Sequence, residues 1–232
     1  RKAQTNFRVS ASETALTTEG PLFKRGAEKS KTTYLLSARR SYLKLLFQLL
    51  ELPIRPDYWD YQYKINHVLD ERNTFYLTGV GSIDQYAVKA PEEFDIDQIS
   101  TLEQVPIINQ WSTTSGLGWR NRMKDHKGII NVAASLNILN NNFQRFEDNE
   151  NQTGLLYKND SRESERRLRA SMTRFVDKWS ITFGGNLNQS SYTNTTQDLV
   201  FDNEYISSLG FWKYGLFSQA SKSFLDGRLD FT

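Results

Sequence analysis

The chain has 232 residues, with 29 Lys and Arg against 27 Asp and Glu, two His and no Cys. Charge this close to balance excludes an electrostatic nucleic-acid binder, and the lack of Cys excludes a disulfide framework, a thiolate nucleophile and a Cys-type zinc site. No run of about 18 apolar residues is present to cross a membrane as a helix; the best stretch, Tyr42 to Ile54, is broken by Lys44, Gln48 and Glu51. Aromatics at 13%, with abundant Asn, Ser and Thr, point instead to an all-β chain. The sequence opens at Arg1 without a basic-then-apolar leader and closes at Asp230-Phe231-Thr232, soon after a turn signal at Asp226-Gly227. The expectation is a piece of a longer protein.

In chain order, Phe7–Leu16 reads as a strand with an imperfect apolar row, and Tyr42–Leu52 has the Leu and Phe spacing of a short helical turn or folded loop. From Trp59 to His67 the row Trp59, Tyr61, Tyr63, Ile65 opposes Asp60, Gln62, Lys64, Asn66. Thr74–Asp84 alternates less cleanly. Ile130–Ile138 sets Ile130, Val132, Ala134, Leu136 and Ile138 against Asn131, Ala133, Ser135 and Asn137. Leu168–Arg174 is again imperfect. In Lys178–Asn188, Trp179, Ile181, Phe183, Gly185 and Leu187 oppose Ser180, Thr182, Gly184, Asn186 and Asn188. Strict period-2 alternation describes extended strands with one apolar and one polar face.

Tight polar turns centre on positions 27, 71, 125, 177 and 226, and long polar connections fall at 43–57, 87–106, 146–162 and 193–205. The order strand, short turn, strand, long loop places all short turns at one end of an antiparallel meander. Greek-key crossovers do not sort loops in this way. Strands of roughly 9–12 residues match a bilayer when tilted, and short turns opposite long loops are the pattern of an outer-membrane barrel. Trp59, Tyr61 and Trp111 near long loops, and Trp119 and Trp179 near short turns, suit its aromatic girdles. The mean hydropathy of −0.61 is compatible with this, because only alternate strand residues need be apolar. The predicted fold is an all-β, antiparallel, up-and-down transmembrane β-barrel, with room here for about nine to ten strands.

Three stretches narrow the class. They are Thr18-Glu19-Gly20-Pro21-Leu22, Tyr34 to Leu43 with its Ser37-Ala38-Arg39-Arg40-Ser41-Tyr42 core, and Leu52 to Tyr61 with Arg55-Pro56-Asp57-Tyr58. With Asn73–Leu77 and Gly79–Asp84 they resemble the barrel of TonB-dependent outer-membrane receptors, in the subgroup carrying an N-terminal carboxypeptidase-regulatory-like domain. The resemblance is carried by about the first 90 residues, and beyond them by rhythm alone. It implies a Gram-negative outer-membrane receptor for energy-coupled nutrient uptake, with a plug inside a barrel of about 22 strands. Residues 1–232 would be one section of that barrel, without plug, TonB box or signal peptide. The implied partners are membrane lipids and lipopolysaccharide, the chain's own plug, TonB and a surface lipoprotein, and no nucleic acid. Two rivals remain open: a small barrel acting as anchor or adhesin, and a soluble β-rich carbohydrate-binding module.

No catalytic constellation, cofactor or metal site is expected. His67 lies on an apolar row and His126 in a tight turn, without ligand spacing between them. Acids at Glu92-Glu93-Phe94-Asp95-Ile96-Asp97 and at Asp148-Asn149-Glu150-Asn151 read as solvated loops rather than calcium sites. The ligand-contact candidates are therefore Arg39, out of phase with Tyr34, Leu36 and Ala38 and so facing the lumen, and Tyr58 and Trp59, beside a long connection stiffened by Pro53 and Pro56. Arg167 and Arg169 complete the set, in a basic cluster at the start of a strand with Arg166 and Arg174.

Overall fold

A computed structural model describes residues 2–23, 30–50, 52–89, 102, 105–224 and 229–231. The strands are β1 (Gln4–Val9), β2 (Glu13–Leu22), β3 (Thr32–Ser41), β4 (Ile54–Val68), β5 (Asn73–Val88), β6 (Ile107–Arg122), β7 (Gly128–Asp148), β8 (Thr153–Val176), β9 (Trp179–Asp198), β10 (Asn203–Phe224) and β11 (Leu229–Phe231). A short helix α1 (Leu43–Leu49) sits between β3 and β4. All eleven strands form one sheet in sequence order, each antiparallel to the next, and the sheet is not closed on itself.

The register assigns every side chain to a face. One continuous row runs Trp119 on β6, Val132 on β7, Ala170 on β8 and Gly185 on β9. Another runs Tyr61, Gly81, Thr113 and Ile138 across β4 to β7. These rows carry the apolar residues; the opposite rows carry Asn, Ser, Thr and charge. Among the described residues only Val88, Leu102 and Ile107 are buried apolar side chains, whereas Leu168, Phe183, Leu216 and Tyr214 stand exposed on the apolar face. A soluble sheet of this size would hide that face under a second layer. Here it points outward, as a lipid-facing wall requires.

The aromatic rims follow. Trp59 and Trp111 lie toward the loop end of the outward face, and Trp119 and Trp179 toward the turn end. Within the band, Tyr61 lies across Gly81 to meet Thr113 Oγ1 at 2.8 Å, and Tyr63 lies across Gly79 to meet Ser115 Oγ at 2.8 Å. The glycines leave room for the rings, and the hydroxyls pair with each other on the outward face.

Several expectations need correction. Phe7–Leu16 is not one strand: the chain turns at Ser10–Ser12, so that Phe7 pairs with Leu16. The up-and-down sheet is as expected, with ten strands and, at its end, the three-residue β11. The long connections at 146–162 and 193–205 are the far ends of two long hairpins; β8 alone has 24 residues, and the turns are only Asn149–Gln152 and Leu199–Asp202. Both faces there carry Asn, Thr, Ser and Tyr, so no hydrophobic alternation marks the strands, although Thr and Tyr favour extended backbone. A strand of that length rises about 80 Å, far beyond a hydrocarbon core of about 30 Å. Much of each hairpin therefore stands clear of the band.

The turns are held by aspartates. Asp148 Oδ1 accepts from the backbone N–H groups of Glu150 and Asn151 at 3.0 Å each, and Asp70 Oδ1 from those of Arg72 and Asn73 at 2.8 Å each. The carboxylate in the acidic patch 148–151 thus caps a turn. Glu92–Asp97 lies outside the described residues. His126 has φ of 56° in the β6–β7 turn, a conformation that accounts for its place. His67 is paired through Nδ1 with Thr32 Oγ1 at 2.9 Å.

Candidate functional site

The polar face is the candidate site. On β1 to β4 it curls into a cavity of about 1000 Å³ whose lining includes Asn6, Arg8, Thr17, Glu19, Arg39 and Asp60. Arg39 sits here with Ser37, out of phase with Leu36 and Ala38. It is not free. Its Nη1 meets Glu13 Oε2 at 3.1 Å, its Nε meets Asp60 Oδ2 at 2.6 Å, and Glu13 also binds Arg8. The result is an alternating line Arg8, Glu13, Arg39, Asp60, one residue from each of four consecutive strands. Its charge sums to zero, so it ties strands together rather than attracting an ion.

Tyr58 and Trp59 part company because adjacent strand residues face opposite sides. Tyr58 shares the polar face, with the Arg39 guanidinium 5.5 Å from its ring centroid. Trp59 faces outward, its ring 4.5 Å from the Arg40 guanidinium, while Arg40 Nη2 meets Asp57 Oδ2 at 2.8 Å. Trp59 is thus on the outward apolar face, away from the polar wall.

The arginine cluster also divides. It lies in the interior of β8 rather than at its start. Arg167 and Arg169 face the polar side, opposite Asn188 and Asn186 of β9, which pair in turn with Lys213 and Gly215 of β10. Arg167 Nη2 meets Glu165 Oε2 at 2.8 Å. Arg169 has no carboxylate partner among the described residues; it lies 5.2 Å from the centroid of Phe217, and Lys213 lies 4.8 Å from that of Phe211. Asn188 Oδ1 between them is buried without a hydrogen-bond donor. Arg166 faces outward and Arg174 is drawn to the turn end by Asp125 at 2.7 Å.

Sequence reasoning missed Glu13 and Asp60 as partners of Arg39, and Lys213, Phe211 and Phe217 beside Arg169. Alternation assigns a face to each strand, but only register shows which residues meet across strands. Among the described residues, no group of three or more His, Asp or Glu is gathered as metal ligands.

A meander with an outward apolar band, tryptophan rims and a polar inner wall is the architecture of a transmembrane β-barrel wall. No family model and no curated protein sequence matches the chain. Among solved structures, the chain is similar to the ferric yersiniabactin uptake receptor FyuA from Yersinia pestis, with a TM-score of 0.53 and 10% sequence identity. The similarity covers 92% of this chain and 35% of that one, so the chain spans about a third of the receptor's length. At that identity the likeness concerns the fold.

Proposed function

We propose that the chain is a section of the barrel of a TonB-dependent outer-membrane receptor for energy-coupled nutrient uptake, and that residues 1–232 belong to one barrel domain. The observation that carries the reading is the exposed apolar band bounded by tryptophans on a sheet that follows a receptor barrel over 92% of its length. The stretches around Arg39, Arg55 and Gly79 favour the subgroup with an N-terminal carboxypeptidase-regulatory-like domain. The plug and TonB would act through other parts of the same protein, and a surface lipoprotein is the partner expected at the loop end. Cargo would be a scarce nutrient such as a chelated metal, a glycan or a peptide. Nothing is hydrolysed: a barrel wall offers contacts to a passing ligand and a seat for the plug.

Within that wall, Tyr58, Arg167 and Arg169 are the proposed contacts. Arg39 holds the wall in shape beneath Tyr58, and Trp59 anchors it at the membrane surface. Fractionation of cells making the full-length protein tests the reading. The protein should sediment with outer membranes, need detergent for release, and run faster on a denaturing gel unheated than boiled. Recovery in the aqueous fraction after lysis would end it.

A further inference from the structure

The outward face of β7 to β10 changes character over a short distance. One cross-strand row is Ala134, Leu168, Leu187 and Tyr214, which is apolar throughout. The next toward the loop end is Leu136, Arg166, Gln189 and Trp212, and two rows further on lie Asn140, Arg162, Thr193 and Ser208. Between them is Ile138, Ser164, Ser191 and Gly210. Two cations thus stand just above the apolar band, with no acid in any of these three rows. The nearest outward carboxylate, Asp160, is already held by Lys158 at 2.7 Å and by Asn142.

The two arginines lack the carboxylate partner that several other cations of the sheet have. Arg8, Arg39, Arg40 and Arg174 are each paired with a carboxylate. Arg166 Nη1 donates only to the neutral Gln189 Oε1, at 2.9 Å, which fixes its direction without cancelling its charge. The Arg162 side chain has no hydrogen-bond or ion-pair partner among the described residues and is exposed. Beside it Asn140 carries a buried Oδ1 without a hydrogen-bond donor. Ser164, Ser191 and Thr193 surround the pair with hydroxyls, and Trp212 marks the level of the bilayer surface.

We propose that Arg162 and Arg166 form a phosphate-binding site for a phosphorylated glycolipid of the outer leaflet, of the lipid A type. The inference rests on the outer-membrane reading and adds residues to it. Four residues of extended chain separate the two guanidinium stems by about 13 Å, so each takes its own phosphate. Arginine suits this because its planar fork gives two parallel charge-assisted hydrogen bonds to phosphate oxygens. The hydroxyls and amides suit the sugar that carries those phosphates, while Leu168, Leu187 and Tyr214 lie where the acyl chains begin. An inward-facing pair could not do this; Arg167 and Arg169 alternate to the lumen side and never meet lipid.

The test uses the full-length protein extracted from its own membranes, with binding read by native mass spectrometry in detergent. Bisphosphorylated lipid A should bind, and the same lipid stripped of phosphate should bind far less. Arg162→Gln with Arg166→Gln should weaken the phosphorylated lipid about 10- to 30-fold, leave the stripped lipid unchanged, and retain heat-modifiable gel mobility. Arg162→Lys with Arg166→Lys should keep an intermediate affinity, since charge survives without the fork. Lys64→Gln with Arg120→Gln, an inward-facing pair outside the proposed contacts, should leave lipid binding unchanged. The proposal is overturned if the outward pair has no effect, if the inward pair has an equal one, or if inorganic phosphate at matching concentration displaces the lipid completely. A protein found in the aqueous fraction defeats the outer-membrane reading itself; an embedded protein whose lipid binding ignores both arginines defeats only this site.

Discussion

The inner wall treats its charges in two ways. On β1 to β4 each cation of the line Arg8, Glu13, Arg39, Asp60 is answered by a carboxylate on a neighbouring strand. On the polar face of β8 to β10 the one ion pair among the described residues, Arg167 with Glu165, lies within a single strand, and Arg169 and Lys213 rest on Phe217 and Phe211. A cation on an aromatic face gains a modest attraction, about 0.5–1 kcal/mol when exposed, and keeps its net charge. The first arrangement spends its charges on holding strands in register. The second leaves positive charge available to any acidic group that reaches that face. Substitutions should therefore cost stability in the first wall and binding in the second.

The largest effect is expected where the first wall is also locked on its outward side. A Cβ at Gly81 would lie 2.6 Å from the Tyr61 ring, so Gly81→Leu must expel the ring and break its bond to Thr113. Overpacking plus a stranded hydroxyl should lower stability by about 3 kcal/mol, read as a fall in the midpoint of the heat-induced mobility shift. An unchanged midpoint would mean that the tyrosine–glycine ladder does not support the wall. Arg39→Ala comes next, at about 1–2 kcal/mol, because it leaves Glu13 and Asp60 facing each other with only Arg8 between charge and balance. Adding Glu13→Gln and Asp60→Asn to it should recover part of the loss. If the triple variant is less stable than Arg39→Ala alone, the ladder reading is wrong.

In the second wall, Arg169→Gln with Lys213→Gln should move stability by no more than about 0.5 kcal/mol, since no ion pair is broken. The same pair should shift single-channel selectivity of a plug-free barrel away from anions. Equal selectivity before and after would remove Arg169 from the ligand-contact set.

How far the sequence reached follows from what each feature depends on. Trp59–His67 and Lys178–Asn188 announce strands and faces because one side of each is apolar and the other polar. That also placed Arg39 inward. The outer halves of β7 to β10 were illegible for the converse reason: both faces are polar, so Asn140, Asn142, Thr193 and Thr195 carry no alternation. Their strands are visible only through backbone pairing and through turns capped by Asp148 and Asp198. The division of Tyr58 from Trp59 was implicit in period 2, yet the proline-stiffened connection hid where β4 begins. The Glu13 and Asp60 contacts of Arg39 needed register across four strands, which a single sequence does not state.

The smallest effects belong to the turns, and they separate capping from wall chemistry. Asp148 is held below its ordinary value of 3.8 first by the backbone N–H of Asn151, then by that residue's side chain and by the N–H of Glu150. Asp70 is lowered first by the Asn73 side chain and then by the N–H groups of Arg72 and Asn73. A carboxylate whose pKa is lower folded than unfolded adds stability above the unfolded value, and that stability is lost as pH falls through the folded one. Wild type should therefore exceed Asp148→Ala in thermal midpoint at neutral pH, with the gap closing only below 3.8. The Asp70→Ala gap should close over the same range, although it caps the opposite end of the sheet beside the ion-paired wall. If acid leaves either gap open, that turn is held by its backbone alone and the aspartate is incidental. If both close together while the Arg39→Ala deficit persists at neutral pH, the turns and the cross-strand ladder are independent sources of stability.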